Sequence, residues 1–128
     1  MRLLLDTHAF LWYLLGDQRL SLRATDSISN AQNQILVSPA SYWGKAIKIS
    51  LGKYELPEPF EAFTEREIAD NDFTVLPIAI PHAAALIRMP FFHRDPFDRL
   101  ILAQALVQAV PLASSDAAFD AYRVERYW

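Results

Sequence analysis

Short apolar runs alternate along this chain with longer segments of mixed polarity, and this alternation predicts its secondary structure. The apolar runs are bounded by polar or turn-forming residues, which is typical of short buried strands. The predicted strands are residues 2–5, 34–38, 73–78 and 111–115, with a last strand near Val124.

The longer segments carry the start and stop signals of helices. Pro39 and Pro96 suit the first turn of a helix, Gly16 and Gly52 suit positions just past a helix end, and Pro90 ends a further helical segment. The predicted helices are residues 8–15, 21–32, 39–52, 60–71, 81–89 and 96–109, with a short helical turn at 116–122.

Strands that alternate with helices favour a parallel sheet, because each crossover lays a helix across the sheet. We therefore predict an α/β fold with a parallel sheet of about four or five strands and helices on both faces. The chain has 128 residues and shows no linker or internal repeat, so residues 1–128 are expected to form a single domain.

Composition narrows the class of protein. Hydrophobic residues make up 52% and charged residues 21%, which argues against disorder. The chain has no cysteine, which excludes disulfides and thiolate metal sites, and its net charge of −3 leaves only a local basic patch for a nucleic acid. Because Asp6 and His8 interrupt the apolar N-terminal run, we expect a soluble, cytoplasmic protein with no membrane contact.

Acidic residues stand where predicted strands end or helices begin. Asp6 follows the first strand, Asp116 follows strand 111–115, and Asp95 and Asp98 flank the start of the helix at Pro96. Each acid has an ordinary alternative role as a helix cap or turn residue. Capping does not favour one edge of a sheet over the other, whereas ligands of parallel sheets bind at the carboxyl ends of the strands. The arrangement therefore predicts an acidic site at that edge.

Carboxylates gathered at one edge repel each other, at about 4 kcal/mol for a pair roughly 4 Å apart at an effective dielectric near 20. A hard divalent cation such as Mg²⁺ or Mn²⁺ removes that repulsion and prefers oxygen ligands. Such a site activates water and polarises a phosphodiester, as nucleases require. Arg94 and Arg99 lie beside the acids and are candidates for holding substrate phosphates, with a solvated helix charge as the alternative for Arg99.

Four segments resemble, in order and spacing, the PIN-domain ribonucleases, specifically the VapC-type toxins of bacterial toxin–antitoxin pairs: LLLDTHAFLWYL, VSPASYWGKAIK, HRDPFDRLILAQA and LASSDAAFDAY. The resemblance implies an α/β/α sandwich, an Mg²⁺- or Mn²⁺-dependent endoribonuclease, a homodimer, and inhibition by a cognate antitoxin protein inserted into the active-site groove. It makes Asp6, Asp98 and Asp116 the catalytic and metal-site acids, with Asp95 as an additional acid. On this view Asp98 both caps its helix and binds metal, while Asp95 mainly caps.

One position departs from the family pattern. The family usually has Trp-Glu-Ile-Ala-Ile-Lys where this chain has Trp43-Gly44-Lys45-Ala46-Ile47-Lys48, so the glutamate of the metal site is missing at Gly44. Lys45 either brings an ammonium near the site or points to solvent. Two hypotheses stay open: a ribonuclease impaired at Gly44, and a degenerate PIN-fold module that binds RNA or an antitoxin without cleavage.

Other enzyme classes fit poorly. A haloacid-dehalogenase-like phosphatase needs a second aspartate where His8 stands, and a nicotinamide-binding enzyme needs a G-x-G-x-x-G segment that is missing. The three histidines lack metal-ligand spacing and are interpreted as structural or surface groups. Six aromatic residues exceed the needs of a small core, and some of them are expected at a homodimer or antitoxin interface: Trp12, Tyr13, Tyr42, Trp43, Phe91 and Phe92.

Overall fold

The computed structural model describes all 128 residues and contains every element expected from the sequence. In chain order the elements are β1 (Arg2–Leu5), α1 (Thr7–Leu15), α2 (Leu22–Ser29), β2 (Gln34–Val37), α3 (Pro39–Ser50), α4 (Phe60–Asp70), β3 (Thr74–Val75), α5 (Ile80–Arg88), α6 (Pro96–Gln108), β4 (Leu112–Ala113), a 3₁₀ helix (Ala117–Ala121) and β5 (Arg126–Tyr127). The third and fourth strands are shorter than predicted, and the last begins two residues after Val124.

The five strands form one parallel sheet in the order β3-β2-β1-β4-β5. Leu5, the last residue of β1, is paired with Val37 of β2 on one side and with Ala113 of β4 on the other. The chain builds outward from β1 to β3 and then returns to the opposite side of β1 for β4. The crevice between the carboxyl ends of β1 and β4 is the topological switch point, where open parallel sheets bind ligands.

The alternation of side chains along the strands divides the core into two layers. In β1, Leu3 and Leu5 pack into one cluster with helices α1 and α2, whereas Leu4 packs into the other with α6. All three leucines are fully buried. This arrangement confirms the predicted α/β fold with helices on both faces of the sheet. None of the helices combines the length and apolar character that a membrane span would need.

Polar side chains cap the helices that begin at the carboxyl edge of the sheet. Asp6 Oδ1 accepts a hydrogen bond from Ala9 N at 2.7 Å, and Ser38 Oγ accepts one from Ala40 N at 3.1 Å. Each cap follows a buried strand directly, so the chain turns from strand to helix within one residue. These tight turns bring the start of α1 and the start of α3 to the same rim.

Candidate active site

The switch point brings two of the predicted acids to one edge. Asp6 directly follows β1, and Asp116 follows β4 after two serines. Asp98 lies in the first turn of α6 and is close enough to Asp6 for the charge of Asp6 to raise the pKa of Asp98. The acids that the sequence places at a shared rim therefore lie within electrostatic reach of one another.

Asp6 is a buried carboxyl group at the centre of this edge. Only 5% of the residue is exposed. Burial raises the pKa of Asp6 to about 6, and the charge of Asp116 adds to the shift, although hydrogen bonds from Ser114 and the Ala9 N–H oppose it. An ionised Asp6 therefore lacks the solvation that would hold its charge in water.

Asp98 is half-buried and has the same electrostatic problem. Burial, followed by the charges of Asp95 and Asp6, raises the pKa of Asp98 to about 6. The capping role expected for Asp98 is wrong, because Asp95 Oδ1 accepts the hydrogen bonds from Phe97 N at 2.8 Å and from Asp98 N at 3.1 Å. The N-cap of α6 is Asp95, and the Asp98 carboxylate accepts no capping hydrogen bond.

Asp116 is more exposed and points to a different partner. Its Oδ2 lies 3.0 Å from His93 Nε2, and its Oδ1 accepts a hydrogen bond from Ala118 N. Partial burial opposes ionisation, but the hydrogen bonds from His93 and Ala118 and the nearby charge of Arg126 outweigh it and lower the pKa of Asp116. Asp116 is thus hydrogen-bonded to His93, whereas Asp6 and Asp98 form no ion pair.

The donor set can be tested against a divalent cation. No group of three or more His, Asp or Glu side chains lies close enough to hold a metal ion. Mg²⁺ nevertheless keeps several waters and is commonly held by one or two carboxylates together with substrate phosphates. Asp6 and Asp98 are two carboxylates within electrostatic reach of each other, both have raised pKa values and neither forms an ion pair, so the residues present fit a cation of this kind.

His93 contacts the site in a way that the sequence did not reveal. Its ring stacks on Phe119 with centroids 4.3 Å apart, and Tyr122 Oη accepts hydrogen bonds from the backbone N–H groups of Phe92 and His93. Tyr122 also donates to the carbonyl of Pro90. No spacing rule links His93 to Asp116, since 23 residues separate them. His93 therefore has a structural role, as predicted, and that role includes its contact with the candidate site residue Asp116.

The phosphate contact predicted for Arg99 is wrong, and so is the solvated alternative. Arg99 is 4% exposed and donates to the carbonyl oxygens of Pro90 at 2.9 Å and Leu86 at 3.2 Å, while its guanidinium lies over the ring of Phe91. It closes the C-terminal end of α5, whose last carbonyls lack helical partners. Arg94 is exposed and stays a candidate for a phosphate.

A cleft of about 290 Å³ opens beside the acids between α3 and the start of α6. Gly44 lines this cleft, and a Cβ added there would lie 3.4 Å from the ring of Phe97, which is ordinary van der Waals contact. Lys45 does not point to bulk solvent, since it is 7% exposed, lines the cleft and holds its Nζ 4.4 Å from the ring centre of Tyr54. Position 44, where the family resemblance leads us to expect an acid, therefore lines the cleft and has room for a Cβ.

The fold and the acidic edge are those of a PIN domain, and the chain belongs to the PIN-domain family. The family model for the PIN domain matches residues 3–125. The chain is 30% identical over 124 residues to "Ribonuclease VapC22" of Mycobacterium tuberculosis, an alignment that covers 96% of this chain and 93% of that protein.

Solved structures share the fold at lower identity. VapBC2 from Rickettsia felis bound to a DNA fragment from its promoter matches with a TM-score of 0.71 and 11% identity, over 99% of this chain and 98% of the matched chain. FitAcB from Neisseria gonorrhoeae matches with a TM-score of 0.69 and 19% identity, over 98% of this chain and 96% of the matched chain. These likenesses confirm the five-stranded α/β architecture.

The raised pKa of Asp6 predicts how stability depends on pH in metal-free buffer. The folded protein holds a proton on Asp6 between about pH 4 and 6 that the unfolded chain has released, so this group's contribution falls as pH rises through that range. The free energy of unfolding of Asp6→Asn minus that of the unchanged protein should increase by roughly 2–3 kcal/mol when the pH is raised from 4 to 7. Urea denaturation in EDTA measures the difference, and parallel pH curves for the two proteins would contradict it.

The carbonyl contacts of Arg99 predict a stability effect. Arg99→Met should lower the free energy of unfolding by roughly 1–3 kcal/mol, because the partly buried carbonyls of Leu86 and Pro90 lose a charged donor. Arg94→Met is the matched control and should change stability by less than about 0.5 kcal/mol, because Arg94 is exposed. If the two substitutions lower the free energy of unfolding equally, the carbonyl contacts of Arg99 do not stabilise the fold and this interpretation is wrong.

Proposed function

We propose that this chain is a metal-dependent endoribonuclease that acts as the toxin of a toxin–antitoxin pair. The observation that carries the proposal is the pair of unneutralised carboxylates, Asp6 and Asp98, at the switch point of a PIN domain. Its 30% identity to a ribonuclease over nearly the whole chain supports the same reaction.

In this proposal Asp6 and Asp98 hold Mg²⁺ or Mn²⁺, and Asp116 is the third acid of the site. Bound metal would supply Lewis-acid polarisation of the phosphodiester and a water of lowered pKa. Asp6 is suited to hold the ion because its burial and its cap to Ala9 fix its position. His93 is suited to orient Asp116, since Nε2 contacts Oδ2 while the ring is fixed between Phe119 and Tyr122.

A protein partner belongs to the same proposal. Several structures of similar fold are of VapBC or FitAB assemblies, including FitAB bound to IR36 DNA with a TM-score of 0.68. Trp43, Ile47 and Leu51 form an exposed stripe along α3 at helical spacing, and Phe91 is 81% exposed. We infer that an antitoxin and a second copy of the chain cover such surfaces. Trp12, Tyr13 and Tyr42 are only partly exposed and contribute less.

The direct test is cleavage of RNA by the purified protein with Mg²⁺ or Mn²⁺. Asp98→Asn should abolish cleavage without lowering stability, because Asp98 accepts no capping hydrogen bond and its charge is half-buried beside other acids. An internally labelled RNA distinguishes endonucleolytic fragments from terminal trimming. Cleavage that persists in EDTA, or that survives in Asp98→Asn, would contradict the proposal.

A second candidate is a PIN-fold module that binds RNA or an antitoxin without cleaving. It is favoured by Gly44, which removes the acid usual at that position, and by the absence of a three-residue ligand group. The two candidates differ in whether metal binding by Asp6 and Asp98 still supports hydrolysis.

Replacing Gly44 separates these candidates. Gly44→Glu should tighten Mn²⁺ binding and raise RNA cleavage, because Gly44 lines the cleft, accepts a Cβ beside Phe97 without a clash, and would then carry a carboxylate. Gly44→Gln is the matched control, since glutamine has the size of glutamate without its charge. Both variants remove the helical glycine, and that change alone should stabilise α3 by about 0.5–1 kcal/mol. Calorimetric Mn²⁺ titration and the cleavage assay measure the outcome. If Gly44→Glu and Gly44→Gln behave alike and neither cleaves, the non-catalytic module replaces the enzyme.

A further inference from the structure

The lysines of this chain are concentrated in one place. The sequence contains three lysines, and all three line the cleft beside the acids: Lys45, Lys48 and Lys53. None of them forms an ion pair, whereas Arg19, Arg66 and Arg126 are each paired with a carboxylate. In a chain of net charge −3, this cleft wall therefore brings together three cationic side chains that lack an ion pair.

Local structure explains how the lysines converge. Lys45 and Lys48 are three residues apart on α3 and therefore lie on the same side of the helix. Gly52 has a φ of +71°, and Lys53 N donates to Lys48 O at 2.9 Å, which completes a Schellman turn. The turn folds the chain back on the last turn of the helix, so Lys53 joins the other two at one wall.

Lys45 carries the strongest sign of an absent ligand. The residue is 7% exposed, its ammonium has no hydrogen-bond acceptor within the chain, and Nζ lies 4.4 Å from the ring centre of Tyr54. Burial and the charge of Lys48 lower the pKa of Lys45. An ammonium on the cleft wall with no carboxylate paired to it is available to an anion that enters the cleft.

An aromatic platform borders the same cleft and indicates the kind of anion. His8 is exposed, lines the cleft and stacks on Trp12, with centroids 5.3 Å apart and an angle of 14° between the rings. Trp12 is held from behind by Trp128 and by the guanidinium of Arg19. A basic groove beside an aromatic stack is the arrangement that binds single-stranded nucleic acid, whereas an acidic peptide has no need of the stack.

We propose that this cleft binds single-stranded RNA, with backbone phosphates on Lys45, Lys48 and Lys53 and a base stacked on His8. The inference rests on the proposed function only in taking RNA as the polymer. It assigns the phosphate contacts to α3 and its C-terminal turn, in place of the buried Arg99. The acids Asp95 and Asp98 form the opposite wall, so a bound strand passes between the lysines and the carboxylates.

The test is binding in EDTA, where metal-dependent cleavage cannot occur. A fluorescein-labelled, unstructured RNA of about 12 nucleotides, within the usual range of site sizes, is titrated with protein at several salt concentrations and followed by anisotropy. Replacing all three lysines with methionine should weaken binding at least about tenfold at low salt and reduce the slope of log K against log salt by about 2. Replacing Arg2, Arg88 and Arg123 with methionine removes equal charge elsewhere and should leave both values unchanged.

Two further variants protect the test against misfolding and against non-specific attraction. Lys48→Met with Lys53→Met changes only exposed residues and should lower the salt slope by about 1.4. His8→Ala should weaken RNA binding about fivefold or more, while His8→Phe keeps an aromatic face and should retain it. No RNA binding by the unchanged protein, or equal binding by the lysine variants, would overturn the proposal.

A labelled oligoglutamate peptide distinguishes the other occupant. If the peptide binds the cleft more tightly than RNA and His8→Ala leaves RNA binding unchanged, the cleft serves an acidic protein and the RNA proposal is wrong. The RNA-binding proposal and the enzyme proposal can be rejected independently of each other. Lysine-dependent RNA binding without cleavage in Mg²⁺ would reject only the enzyme, whereas cleavage by the triple lysine variant at an unchanged KM would reject only the RNA-binding wall.

Discussion

The reversal of strand order beside β1 is the constraint on which the rest of this structure depends. Because β2 and β4 flank β1 in parallel, three strands direct their carboxyl ends to one rim, and the chain must turn there into helices. Polar caps make those turns possible, and two of the caps are the acids Asp6 and Asp116. The same topology that closes the sheet therefore also concentrates negative charge at a crevice open to ligands.

Most of the fold was accessible from the sequence because local signals agree with one another. Pro39 and Pro96 mark the starts that the structure shows for α3 and α6, and Gly16 and Gly52 follow the ends of α1 and α3. The short strands β3 and β4 were overestimated, since strand length depends on how far a neighbouring strand supplies hydrogen bonds. That information lies in the register of the sheet and not in the residues of the strand.

The site was predictable only where a residue's role follows from its place in an element. Asp95 and Asp116 are caps, and their neighbours in sequence reveal it. The contact between His93 and Asp116 and the burial of Arg99 depend on how α6, the 3₁₀ helix and the end of α5 pack together. The positive charge of Arg99 suggested a phosphate contact, but its guanidinium instead donates hydrogen bonds to carbonyls at the C-terminal end of α5. The lysine cleft was missed for a similar reason, since Gly52 brings Lys53 beside Lys48 only through the geometry of a turn.

The division of labour among the acids bears on how such a domain would decay. Asp6 and Asp116 accept hydrogen bonds from backbone N–H groups at helix starts, so selection for folding alone would retain a capping side chain at both positions after catalysis had ceased to matter, although uncharged Asn would serve at the buried position 6. Asp98 makes no such bond, and its charge is held in a half-buried place beside two other acids. In a drifting lineage, position 98 would be the first of these three acids to change. Asp98 persists in this chain, and its retention is the hardest of the three to attribute to the fold.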